Sequence, residues 1–154
     1  MNIIHADKKD LPEILLLQKL AYQSEAILNN DFNIPPLHQT LADIEIQYES
    51  YTILKLSLDG LLVGSVRAVS EGAICNIGRL AVHPEYQGKG LGSALLKEIE
   101  RKFPHCEEFR LFTGVKSIRN ISLYTRLGYS ITSQDAQLVF MAKRNATQQA
   151  GPKR

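Results

Sequence analysis

The chain has 154 residues, of which 44% are hydrophobic and 22% charged, and its formal net charge is +2. That length suits one domain with a core of its own; so small a net charge does not by itself argue for nucleic acid or membrane as a partner, and with no recognisable reading motif neither is expected. No apolar run approaches the roughly 20 residues that a membrane-spanning helix needs.

Residues 2–6 read as a first strand. Asp10, with Pro12 in the first turn and Glu13 three residues on, predicts a helix start. Leu11, Ile14, Leu15, Leu17, Leu20 and Ala21 give that helix an apolar face, and it should end near Asn29 and Asn30. Residues 33–39 contain Pro35 and Pro36 and are expected to be a loop, because proline offers no amide hydrogen. Thr40, with Asp43 at the box position, caps a second helix that runs to about Tyr48. Residues 52–58 and 61–68 are strands joined by Asp59-Gly60, a strong hairpin turn, and 70–72 reverse the chain into a third strand, 74–82. A glycine-rich turn then opens a helix from about Gly90 to Phe103, with Leu91, Leu95, Leu96, Ile99 and Phe103 on one side. A strand at 109–115, a short helix capped by Ser117 and stopped at Gly128, and strands at 129–132 and 138–142 follow. The order predicts a mixed α/β domain over residues 1–143, with a largely antiparallel central sheet of about seven strands and about four helices on its faces. Residues 144–154 carry no apolar pattern and are expected to be a disordered tail. Cys75 and Cys106 match no metal or redox spacing. Unpaired thiols and the absence of a signal sequence point to the cytoplasm.

The most informative segment is Leu80-Ala81-Val82-His83-Pro84-Glu85-Tyr86-Gln87-Gly88-Lys89-Gly90-Leu91-Gly92-Ser93, a strand, a turn with three glycines in five residues, and a helix start. Unpaired amides and partial positive charge gather at a helix start, and glycines let a ligand approach them, so the segment is an anion cradle suited to phosphate or pyrophosphate. A dinucleotide fingerprint needs Gly-x-Gly-x-x-Gly after the first strand of a parallel unit. Here the glycines are spaced by two and the preceding strand belongs to a meander. A P-loop would continue as Gly-Lys-Ser/Thr, which Gly88-Lys89-Gly90 does not. A bare turn remains as the structural alternative.

The six residues Gln87-Gly88-Lys89-Gly90-Leu91-Gly92 resemble the coenzyme-A signature of the GNAT acetyltransferases, Gln/Arg-x-x-Gly-x-Gly/Ala, and the lead-in from Arg79 to Tyr86 is similar to that family's strand. The resemblance spans about Leu54 to Tyr129 and fades over the first fifty residues. It implies acetyl-CoA as cosubstrate, with no metal. The amides of Gly88, Lys89, Gly90, Leu91, Gly92 and Ser93 would hold the pyrophosphate, and the backbone of Leu80, Ala81 and Val82 would hold the pantetheine arm. It also implies that this strand splays from the next one, so that the thioester sits in the gap.

A second run, Asn120-Ile121-Ser122-Leu123-Tyr124-Thr125-Arg126-Leu127-Gly128-Tyr129, places Asn120 and Tyr124 on one helix face. On its residues alone, Tyr124 is a core aromatic. The resemblance assigns it the role of general acid toward the leaving thiolate, Asn120 a coenzyme contact, and Arg126 an approach to a coenzyme phosphate or else a solvated surface position. The implied reaction is direct acetyl transfer to an amine of a small molecule or peptide. An alkylamine of pKa ~10.4 is only about 0.04% neutral at pH 7, a handicap of roughly 4.6 kcal/mol, which a base would relieve. Glu71 is the candidate base, with Glu25 and Asp31 as other carboxylates and His38 and His83 as other proton acceptors. Tyr22, Phe32, Pro35, Pro36 and Leu37 are candidate walls for the acceptor. The alternative is a non-catalytic acyl-CoA sensor or interaction module on the same fold. Free strand edges and an exposed helix face would suit a homodimer.

Overall fold

The computed structural model describes residues 1–146. The two turn signals of the meander form as expected. β2 (Thr52–Leu58), β3 (Leu61–Glu71) and β4 (Ile74–Val82) pair antiparallel in succession, and β1 (Asn2–His5) adds antiparallel to β2. β5 (Glu108–Gly114) lies parallel to β4, and β6 (Ser130–Gln134) and β7 (Leu138–Arg144) complete a seven-stranded sheet in the order β1-β2-β3-β4-β5-β7-β6. β7 inserts between β5 and β6, antiparallel to both.

The helices cover both faces of this sheet and make two cores. α4 (Leu91–Arg101) and α5 (Ile118–Arg126) pack on one face, where Leu95, Leu96, Ile99 and Tyr124 meet Leu54, Leu56, Val66 and Phe109. α1 (Leu11–Asn29) and α3 (Leu41–Tyr48) pack on the other, where Leu11, Ile14, Leu17 and Ile44 meet Ile53, Leu62 and Ala81. A bulge sets which residues of β3 serve which core. Leu56 stands opposite Gly64 and Ser57 opposite Leu62, so Val63 is the extra residue. Val63 therefore joins Val66 and Ala68 under α4, while Leu62 serves the α1 core.

Four differences from the sequence expectation have physical reasons. Residues Pro35–His38 form a short helix, α2, rather than a loop, because both prolines occupy the first turn, where amides have no helical partner in any case. Asp10 does not cap α1 with its side chain; its carboxylate accepts the Asp7 amide at 2.7 Å and meets Lys55 Nζ at 2.9 Å, after a 3-10 turn over Lys8–Asp10. Ser117 makes no capping bond to α5 and spends its hydroxyl elsewhere, as described below. β7 runs to Arg144, and the buried Asn145 donates its side-chain amide to the Cys106 carbonyl at 2.8 Å. Residues 147–154 of the expected tail lie outside the described residues.

Candidate active site

The site begins with an opening in the sheet. β4 pairs with β5 only where Ile74, Cys75 and Asn76 face Glu108, Phe109 and Arg110. The second half of β4 has no strand partner on that side, as the splay implied by the motif requires. A local cause lies on the opposite edge of β4. Ser65 stands opposite Ala81 but Arg67 opposite Gly78, so β4 holds one residue more than β3 between those pairs. The bulge contains Arg79 in the left-handed region at φ 53°, a conformation costing about 1 kcal/mol for a side chain with a Cβ. Past it the strand has changed face: Leu80 and Val82 pack toward the α4 core and Ala81 toward the α1 core.

The glycine turn follows. His83 is a turn residue: its amide donates to the Val63 carbonyl at 2.8 Å and its Nδ1 accepts the Glu85 amide at 3.1 Å. Gln87 Nε2 donates to the Val82 carbonyl at 3.1 Å and folds the turn back on the strand. Gly88 and Gly90 take φ of 78° and 80°, and a Cβ on either would meet nothing within 4 Å. The space above these glycines is open. Gly90 is the N-cap of α4, which has no side-chain cap and no acidic residue in its first turn. Its leading amides and dipole are therefore left to an anion. The donor set fits a pyrophosphate.

These elements form one wall of a cleft of about 430 Å³, lined by Leu80, Ala81, Val82, Gln87, Gly88, Gly90, Leu91, Gly92 and Ser93. α5 and the residue before it supply Ser117, Arg119, Asn120, Leu123 and Arg126, and α1 supplies Tyr22, Ser24, Glu25 and Leu28. Two arginines of one helix thus line the same cleft as the glycine turn. Asn120 donates to Thr113 Oγ1 at 3.1 Å and Arg126 to Ser122 Oγ at 2.9 Å. Lys89 is exposed and outside the lining.

Tyr124 is 5% exposed, behind the cleft wall and packed against Tyr129 at 6.1 Å between ring centroids. Burial pushes its phenol well above the usual range, and Tyr22 and Glu25 add to the rise, so it stays protonated at neutral pH. Burial likewise raises Tyr22 to about 12, against the pull of the Arg79 charge.

Glu71 is not brought to the cleft. It is exposed, accepts Asn76 Nδ2 at 2.9 Å and stands opposite Ile74. Leu80 lies six residues further along β4, about 20 Å at strand rise. Asp31 accepts the Asn33 amide at 2.9 Å and does not line the cleft either. The carboxylate that the fold places there is Glu25. It accepts the Ser117 hydroxyl, and Ser117 also accepts Asn29 Nδ2 at 3.0 Å. Asn29 Oδ1 accepts the Lys116 amide at 3.0 Å. The last turns of α1 are thereby clamped to the loop between β5 and α5, across the open end of the sheet. Sequence reasoning missed the clamp; its trace is the polar spacing Gln18, Tyr22, Glu25, Asn29 along one side of α1. Among the described residues, no group of three or more His, Cys, Asp or Glu side chains could hold a metal ion, and no helix is long and apolar enough to cross a membrane.

Comparison with known proteins agrees with this geometry. The chain is 29% identical to the UPF0157 protein YqkA of Bacillus subtilis (strain 168) over 125 residues, 81% of this chain and 36% of YqkA. It is 28% identical to the uncharacterized protein YdhI of the same organism over 87 residues, 55% of this chain and 53% of YdhI. It therefore spans about a third and about half of the lengths of these two relatives. In fold, it is similar to PaiA N-acetyltransferase from Thermoplasma acidophilum, solved in complex with coenzyme A, with a TM-score of 0.83 at 18% identity over 94% of this chain and 98% of that one. The profile of the acetyltransferase (GNAT) family matches residues 16–129, which take in the cleft residues of α1, the splayed strand, the glycine turn and α5, and the chain belongs to that family.

Proposed function

We propose that this protein acetylates an amine directly, with acetyl-CoA as donor. The observation that carries the proposal is the uncapped start of α4 at two left-handed glycines, opening onto a cleft whose far wall holds a carboxylate. The amides from Gly88 to Ser93 hold the pyrophosphate, with Arg119 and Arg126 at the rim for the remaining phosphate charge. The unpaired edge at Leu80, Ala81 and Val82 receives the pantetheine arm as an added strand would be received. Acetyl-CoA supplies the activated acyl group, whose thiolate is the leaving group.

The remaining tasks fall to side chains of this chain. Glu25, rather than Glu71, accepts the proton of the acceptor amine, directly or through water. Ser117 fixes the carboxylate by hydrogen bonding to it. Tyr124 keeps its proton until a thiolate needs it. The walls from α1, Leu80 and Leu123 exclude water. The acceptor enters from the α1 side, where Tyr22 and Ser24 face the cleft. The buried, unpaired Cys75 and Cys106 support a reducing compartment such as the cytoplasm.

The test is calorimetric titration of the purified protein with acetyl-CoA, beside Gly90→Asp. Binding by the parent that is lost in the folded variant is expected, since a carboxylate would occupy the cradle. Absence of binding by the folded parent would overturn the proposal, and binding without thiol release over a broad amine panel would turn it into the sensor alternative.

A further inference from the structure

Another groove, about 420 Å³, lies on the α1 face of the sheet and is lined by Pro35, His38, Gln39, Asp43, Ile46, Gln47 and Arg79. Directly behind it lies Arg67, 1% exposed, on β3. Among the described residues, neither arginine makes an ion pair. Arg67 is held by neutral amides instead. Its Nη2 donates to Gln18 Oε1, its Nη1 to Gln47 Oε1 at 2.7 Å and weakly to Gln39 Oε1 at 3.4 Å, and its Nε is buried with no partner. Arg79 reaches only Gln39 Oε1, at 3.4 Å.

Two cations thus stand close enough to repel. Burial, with the Arg79 charge adding, lowers Arg67 to about 10, which leaves it charged at neutral pH. The other groups at the groove do not neutralise them. Asp43 is exposed and committed to the Thr40 amide at 2.9 Å, and His38 Nε2 lies 2.8 Å from the Phe32 carbonyl. A buried cation is ordinarily paired, and a guanidinium fork matches a planar oxyanion. Position says whose oxyanion it is. Tyr22, which lines the cleft, feels the charges of both arginines and of Glu25. Gln18, Tyr22 and Glu25 follow one another on one side of α1, with Gln18 and Glu25 about 10 Å apart along the axis. Arg79, which lines the groove, directly precedes Leu80, which lines the cleft, so groove and cleft meet at neighbouring residues of β4.

We infer that Arg79, backed by Arg67, binds an oxyanion carried by the acceptor itself, so that the acceptors are amino acids or comparably short anionic amines. This rests on the acetyl-transfer function proposed above, and names its substrate class. The backbone strain fits the assignment: an arginine is kept where glycine would sit without strain.

Arg79→Gly is the informative variant, because it removes the guanidinium, relieves the left-handed backbone and ends the repulsion with Arg67, so folding is expected to be retained, which a melting curve checks. The first arm measures acetylation of pairs differing only in the anion, free amino acids against their amides, and phosphoethanolamine against ethanolamine. The expected result is that the anionic member of at least one pair type is preferred by about tenfold or more in kcat/KM. Arg79→Gly should raise its KM by a similar factor, so that the two members of the pair are handled within about twofold of each other. Preference within the first or the second pair type identifies carboxylate or phosphate as the oxyanion. The second arm needs no catalysis: calorimetric titration with a panel of N-acetyl amino acids and their amides, expected to show binding of the acids that Arg79→Gly abolishes. Equal handling of charged and neutral members in both arms, or a preference that survives in Arg79→Gly, overturns the assignment. Failure of acetyl transfer alone, with anion binding intact, would refute the proposed function and leave the anion site standing.

Discussion

Tyr124 and Glu25, the acid and the base proposed above, differ in burial. Tyr124 is shut in the α4 core and holds its proton tightly, while Glu25 lines the cleft and accepts a hydroxyl bond. Tyr124→Phe removes only the phenolic oxygen. It should lower kcat by about 10²-fold, the usual scale of acid catalysis, and leave the calorimetric affinity for acetyl-CoA nearly unchanged. Glu25→Gln keeps the shape of the wall and should also lower kcat/KM about 10²-fold at neutral pH. Its deficit should shrink as pH rises, because the neutral fraction of the amine grows about tenfold per pH unit below its pKa of ~10.4. A pH–rate profile of parent and variant checks this. A constant deficit at every pH would leave Glu25 a role in shaping the wall alone.

At the scale of elements, the clamp between α1 and the β5–α5 loop depends on Gly114. A Cβ built there would land on the Asn29 carboxamide, which is tied to Lys116 and Ser117. Gly114→Ala should therefore destabilise by about 1–3 kcal/mol, as overpacking does. The same change in an Asn29→Ala background should cost much less, and a double-mutant cycle by urea unfolding measures the difference. What was legible in the sequence follows the same division between local and long-range causes. The glycine cradle, the meander turns and the apolar face of α4 are written in neighbouring residues, and they were readable. Glu25 and Glu71 are each a lone carboxylate with no local signal to separate them; only the packing of α1 across the opened sheet separates them. α2 reads as a loop from sequence because two prolines break a helix anywhere but in its first turn, and only the fold puts them there. The Arg67 cage was invisible because its glutamines come from residues 18, 39 and 47.

The whole molecule is two sheet portions joined through a short parallel seam, with helices bridging the rest. At the start of α1 an ion pair adds to the apolar packing of Leu11 and Ile14. Asp10 meets Lys55 Nζ at 2.9 Å with both side chains mostly covered. Burial alone would raise the Asp10 carboxyl, but Lys55 and the Asp7 amide outweigh it and hold the group below its usual value. A carboxyl depressed in the folded state stabilises above the unfolded-state pKa, near 3.8, and that contribution is lost as pH falls through the folded value. Asp10→Asn should thus cost about 1 kcal/mol at pH 7, given solvent screening of the pair. The gap between parent and variant should close in strong acid. Urea midpoints measured from neutral to acidic pH would show the two curves converging, and parallel curves would remove the pair from the account of acid stability.

The glutamine cage around Arg67 also bears on how this scaffold could be retargeted. Residues 35–48 form much of the second groove, and they would be the natural segment to exchange for that of a relative in search of a new acceptor. Yet the same segment brings Gln39 and Gln47 to a cation on β3. A transplanted segment without them would strand Arg67 in the interior, so a chimaera has to change position 67 along with the segment. On the acceptor site inferred above, specificity is set partly in the middle of the sheet, and grafting and repacking become one design problem.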